Sequence, residues 1–90
     1  MRTSKKHILV VDDEADIREL LSYNLEQEGF QVTLIDNGEK ALQFLKTHSV
    51  DLILLDLMLP GLQGLELCKQ MKKHSELEAV PIIMISAKSS

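Results

Sequence analysis

Aromatic residues and cysteine are nearly absent from this sequence of 90 residues. Aromatic residues make up 3% of it and tryptophan is missing, so a folded core must be built from Ile, Leu, Val and Met. The single cysteine, Cys68, excludes an internal disulfide framework and a cysteine-based metal cluster. We expect this residue to be a small buried hydrophobe rather than a reactive thiol.

Positive charge and long apolar runs are also scarce. Ten Lys and Arg residues stand against fourteen Asp and Glu, a net charge of -4, whereas non-specific binding to nucleic acid needs a clustered basic surface. The aliphatic run at residues 8–11 is too short for a signal peptide, and no stretch approaches the ~20 residues of a membrane span. We therefore expect a cytoplasmic segment that contacts neither nucleic acid nor a membrane.

The sequence does contain four regularly spaced aliphatic segments. Three of them, at residues 8–11, 52–55 and 82–85, are uninterrupted, which is typical of strands buried on both faces of a parallel sheet. The segment at residues 31–35 alternates in part and predicts a further strand. With 44% hydrophobic and 27% charged residues, the composition is that of one small globular domain over residues 1–90.

Helical patterns fill the three intervals between these strands. The first has an apolar stripe of four residues and Gly29 as its stop signal. The second follows a turn at residues 36–38 that predicts a helix cap, and the third follows Gly64. The members of the first stripe are Ile17, Leu20, Leu21 and Leu25.

The resulting order, β-α-β-α-β-α-β, predicts an α/β fold with a parallel sheet, right-handed crossovers and helices on both faces. Because the pattern stops on a strand, we expect the apolar residues of that strand to be poorly covered and the domain to be unfinished. If this is the entire polypeptide, the uncovered sheet face predicts self-association, since large exposed apolar patches mark interfaces.

Three carboxylates follow two of the predicted strands. Asp12 and Asp13 end the first strand, and Asp56 ends the third. If these strands are neighbours in a parallel sheet, the carboxylates converge, and two like charges 4 Å apart repel by about 4 kcal/mol at an effective dielectric of ~20. A hard divalent cation such as Mg²⁺ or Mn²⁺ relieves this repulsion, and Mg²⁺ characteristically binds carboxylates beside a phosphate.

The motifs around these carboxylates resemble the receiver domain of bacterial two-component response regulators, most closely the OmpR/PhoB subfamily. The resemblance is carried by residues 8–14, 51–61 and 82–87 together with Gly64. It implies a three-layer, flavodoxin-like doubly wound parallel sheet with strand order 2-1-3-4. The fifth strand and last helices of such receivers are missing from this sequence, so it covers a partial receiver.

The resemblance also implies a role for each matching residue. Asp56 matches the aspartate that accepts a phosphoryl group from a sensor histidine kinase or a small phosphodonor. Asp13 matches the direct metal ligand, Asp12 a ligand through water, and Met58 a ligand through its backbone carbonyl. Ser86 and Ala87 match the phosphate-binding switch residues. The loop after the phosphoacceptor contains Pro60, Gly61 and Gly64.

Phosphorylation of such a receiver switches its conformation and controls an output, here expected to be transcription. The phosphate-binding lysine of the family lies on the missing fifth strand, and Lys88 does not match it. A receiver-like scaffold that cannot accept phosphate is therefore an alternative.

Two further alternatives are a Mg²⁺-dependent phosphohydrolase and a flavin-binding module. A hydrolase with its nucleophile on the first strand usually has a second acid two residues later, where this sequence has Glu14 rather than Asp. A flavin-binding module would need a Ser/Thr/Gly-rich phosphate loop after Val11, and none is present.

Overall fold

The computed structural model describes residues 5–56, 64–73 and 80–85, in which strands and helices alternate as predicted. Each strand is followed by a helix until the last strand is reached. The elements are β1 (His7–Val11), α1 (Ala15–Gln27), β2 (Gln31–Ile35), α2 (Gly38–Thr47), β3 (Leu52–Asp56), α3 (Gly64–Lys72) and β4 (Ile82–Ile85).

The four strands form one parallel sheet in the order β2-β1-β3-β4, which confirms the predicted strand order. Val11 at the end of β1 is in register with Ile35 of β2 and with Leu55 of β3. Asp56, the last residue of β3, is in register with Ile85 of β4. Because β1 and β3 are neighbours that run in the same direction, the residues that follow them share one edge of the sheet.

Local signals in the sequence set the helix ends. Gly29 has a φ of 94° and ends α1 in a Schellman motif, in which its N–H donates to the Glu26 carbonyl at 3.0 Å. The N–H of Phe30 donates to the Leu25 carbonyl at 3.1 Å in the same motif. At the start of α2, the side chain of Asn37 accepts a 2.8 Å hydrogen bond from the N–H of Lys40, as the predicted cap requires.

The core lies between the sheet and helices α2 and α3. It is built from aliphatic side chains and one methionine, as the scarcity of aromatic residues required. Its buried members are Leu9, Val11, Ala41, Leu45, Val50, Ile53, Leu55 and Met71. No helix within the described ranges is both long enough and apolar enough to cross a lipid bilayer.

The opposite face of the sheet is covered incompletely. Leu20 of α1 is 58% exposed rather than part of the packed stripe, because it is rotated away from the side that carries Ile17, Leu21 and Leu25. Ile83 of β4 is 48% exposed, so this strand is not buried on both faces, and the expectation that the last strand is poorly covered is confirmed. Among the described elements α1 packs on β1 and β2, so β4 has no comparable cover on that face.

Candidate metal centre

Asp12, Asp13 and Asp56 meet at the edge of the sheet where β1 and β3 end. One carboxylate oxygen from each of the three lies within 4.8 Å of the other two. Asp12 is completely buried and Asp56 is 2% exposed, whereas Asp13 is exposed. The predicted convergence of these three residues is therefore confirmed. It follows from the parallel pairing of β1 with β3.

Asp12 is held in a defined orientation by its neighbours. Its backbone N–H donates to the Ile35 carbonyl at 3.0 Å, and its Oδ1 accepts a 2.9 Å hydrogen bond from the N–H of Glu14. Its Oδ2 is buried and has no hydrogen-bond partner within the described part of the chain. A buried carboxylate oxygen without a partner is costly unless a proton or a cation satisfies it.

Burial raises the pKa of the Asp12 carboxyl above its ordinary value of 3.8. The hydrogen bond from Glu14 opposes this effect, and the negative charges of Asp56, Asp13 and Glu14 add to it. The direction of this pKa shift means that the ionised form of the Asp12 carboxyl is disfavoured at this site, chiefly because it is buried.

These residues fit a small hard cation. Two oxygens on opposite sides of an octahedral Mg²⁺ are about 4.2 Å apart, because each bond is about 2.1 Å long. An oxygen set with separations of up to 4.8 Å comes close to this span. Waters would complete the coordination, since Mg²⁺ commonly keeps several of them. The orphaned Oδ2 of Asp12 supplies an acceptor that a cation would satisfy.

Arg18 also contacts this loop, which the sequence did not predict. Its Nη1 donates a 2.8 Å hydrogen bond to the backbone carbonyl of Asp12. The sequence does place a cationic side chain near the start of a helix, where the positive end of the helix dipole disfavours it. A hydrogen-bond acceptor outside the helix, here the Asp12 carbonyl, offsets this effect.

Several predicted site residues fall outside the described part of the chain. These residues are Met58, Pro60, Gly61, Ser86 and Ala87. Gly64, which we expected in the loop, is instead the first residue of α3. The sequence carried no cap signal at this position, and helix boundaries without one are uncertain by one or two residues.

Comparison with known proteins identifies the family that the sequence motifs resemble. The family model for the response regulator receiver domain matches residues 8–90. The alkaline phosphatase synthesis transcriptional regulatory protein PhoP of Bacillus subtilis is 49% identical over 83 residues, which are 92% of this chain and 34% of PhoP. The chain thus spans about a third of the length of this relative.

Solved structures agree with this match. The chemotaxis response regulator CheY4 of Vibrio cholerae has a TM-score of 0.90 and 29% identity, covering 97% of this chain and 72% of that one. A chain in the complex of histidine kinase ThkA with response regulator protein TrrA has a TM-score of 0.84 and 41% identity, covering 94% and 72%. The resemblance to receivers and the flavodoxin-like fold are confirmed.

The buried pair Asp12 and Asp56 generates a prediction for the metal-free chain. We expect Asp56→Asn to raise the free energy of unfolding by roughly 1 kcal/mol in the presence of a chelator, because it removes one of two like charges. Urea unfolding measures this change. Asp36→Asn, an exposed change at the end of β2, is the matched control. A lower unfolding midpoint for Asp56→Asn would contradict the prediction.

The raised pKa of Asp12 gives a second prediction, whose sign follows from linkage. The protonated carboxyl stabilises the fold fully below about pH 4, and this contribution is lost as pH rises through the raised folded-state pKa. Without metal, the melting temperature of Asp12→Asn should therefore gain on that of the wild type as pH rises from about 4 toward neutrality. A difference that stays constant across this range would show that Asp12 ionises without penalty.

Proposed function

Because this chain belongs to the response regulator receiver domain family, we propose that it accepts a phosphoryl group on Asp56 in a Mg²⁺-dependent reaction. The observation that supports this most directly is the buried Asp56 carboxylate within 4.8 Å of oxygens from Asp12 and Asp13. Receiver domains of this family are signalling modules rather than classical enzymes. Family membership therefore argues against the phosphohydrolase and flavin-binding alternatives.

The proposed step is a displacement at phosphorus. A carboxylate oxygen of Asp56 forms the new O–P bond, and the P–N bond of a phosphohistidine breaks. The electron pair of that bond stays on the imidazole, which takes a proton from solvent. In this type of reaction the protein contributes mainly positioning and charge stabilisation. Asp56 is suited to positioning, because it ends a strand that is paired on both sides.

Asp12, Asp13 and Asp56 are the residues that would hold Mg²⁺. When bound, the cation neutralises the carboxylates and the negative charge that develops on the phosphoryl oxygens. We assign Asp13 as the direct ligand, Asp12 as a ligand through water, and Met58 as a ligand through its backbone carbonyl, as the resemblance to the family motif implies. Mn²⁺ would serve in place of Mg²⁺, since it also prefers oxygen ligands.

The remaining assignments rest on the family motif. We assign Ser86 and Ala87 to the phosphate-binding switch, in which the hydroxyl of Ser86 would donate a hydrogen bond to a phosphoryl oxygen. Pro60 and Gly61 belong to the loop that follows the phosphoacceptor. The altered charge on Asp56 would bias this switch and report phosphorylation to an output.

We propose a sensor histidine kinase as the phosphodonor partner. The similarity to a chain of the ThkA–TrrA complex supports this, as that complex joins a histidine kinase to a response regulator.

PhoP is a transcriptional regulatory protein, which supports transcription as the output of the longer relatives. The net charge of -4 argues against contacts between this segment and nucleic acid. A kinase that uses cytoplasmic ATP would place the chain in the cytoplasm.

Mass spectrometry of the intact chain tests the phosphoacceptor assignment. With acetyl phosphate and Mg²⁺ we expect a single phosphoryl adduct, which Asp56→Asn abolishes because the nucleophilic oxygen is lost. The only reactions that we propose the chain itself to promote are its phosphorylation by small donors and slow hydrolysis of the resulting adduct.

The matched control is again Asp36→Asn, which lies at the same edge of the sheet and should be phosphorylated like the wild type. Absence of an adduct on the wild-type chain under these conditions would favour the alternative, a receiver-like scaffold that cannot accept phosphate. An adduct that persists in Asp56→Asn would show that another residue is the acceptor.

We further propose that this 90-residue chain associates with a second copy of itself in solution. The surface involved is the β4 side of the sheet, where Ile83 is 48% exposed and its partner in register, Leu54, is partly exposed. Covering this apolar surface would remove it from water, which stabilises association.

Sedimentation velocity over a range of concentrations tests this proposal. We expect Ile83→Ser to shift the chain toward monomer. Tyr23→Ser, which removes an exposed apolar side chain from α1, should leave the distribution unchanged. A folded wild-type monomer at micromolar concentration would exclude the association.

A further inference from the structure

Arg18 lies near the start of α1, and its side chain turns back toward the loop that leads out of β1. Its Nη1 donates a 2.8 Å hydrogen bond to the Asp12 carbonyl, which lies one residue beyond the last paired position of β1. The backbone N–H of Arg18 meanwhile donates to the Glu14 carbonyl at 3.1 Å. One residue of the helix thus contacts the loop at residues 12–14 through both its main chain and its side chain.

With this bond, three groups of Asp12 have fixed partners. Its N–H donates to Ile35, its Oδ1 accepts from Glu14, and its carbonyl accepts from Arg18. Its Oδ2 is the group left for a cation. The orientation of the peptide between residues 12 and 13 determines where the carboxylate of Asp13 points, and Arg18 is hydrogen bonded to this peptide.

We propose that Arg18 is a positioning residue for the metal centre, holding the loop at residues 12–14 so that the carboxylates of Asp12 and Asp13 face Asp56. This inference rests on the proposed function, because it assigns a role at the same site. The side chain of Arg18 donates to a backbone carbonyl rather than to a carboxylate, so Arg18 acts through Asp12.

If Arg18 acted on the site only through its charge, removing it would change the Mg²⁺ affinity in the opposite direction. A positive charge close to a cation site repels the cation, so removing the charge alone should strengthen binding. Positioning predicts that removing Arg18 weakens binding. Lys40 is a matched control, because it lines the same surface recess as Arg18 and forms its ion pair with Asp36 at 3.6 Å.

The experiment titrates Mg²⁺ into the metal-free chain by calorimetry and follows amide exchange by NMR. We expect Arg18→Met to weaken Mg²⁺ binding by about tenfold, the low end of the range for loss of an outer partner of a metal ligand. Exchange of the Glu14 N–H, which is bonded to Asp12, should become faster. Lys40→Met should bind Mg²⁺ as tightly as the wild type or more tightly.

Arg18→Lys provides a second test, because it keeps the charge but has a shorter side chain without the guanidinium fork. Weaker Mg²⁺ binding in this variant supports positioning, and unchanged binding in both Arg18 variants overturns it. If the wild type binds no Mg²⁺, the metal dependence of the proposed function fails. The positioning proposal then depends on the Glu14 amide: faster exchange in Arg18→Met supports it, and unchanged exchange overturns it.

Discussion

The parallel pairing of β1 with β3 is the interaction on which this site depends. Val11 is in register with Leu55, so the residues that follow each strand meet at the same edge of the sheet. Asp12 and Asp56 are separated by more than forty residues in sequence, yet both are buried there. The aliphatic residues beneath them keep the two strands paired despite the repulsion between the two carboxylates. The same repulsion favours binding of a cation between them.

Most of the fold could be predicted from the sequence, because its signals are local and strong. Gly29 and the cap at Asn37 marked helix ends that the structure reproduces. Convergence of the three carboxylates followed from a general property of parallel sheets on the condition that β1 and β3 are neighbours. The strand order came from the family resemblance, since periodicity alone does not say which strands are neighbours.

What the sequence did not predict depends on tertiary packing. Leu20 belongs to a helical apolar pattern, but the position of α1 over β1 and β2 leaves it in solvent. The contact of Arg18 with Asp12 depends on a side-chain rotamer, for which the sequence holds no pattern.

The two faces of the sheet differ in how firmly their helices are attached. No residue of α1 is buried, whereas α2 and α3 contribute Ala41, Leu45 and Met71 to the core. Local opening of a segment costs less free energy when it exposes little apolar surface. Separation of α1 from the sheet would also release the loop that orients Asp12. Order in this helix and occupancy of the acidic pocket are therefore thermodynamically linked, so that a ligand bound at the sheet edge would suppress fraying about one helix length away.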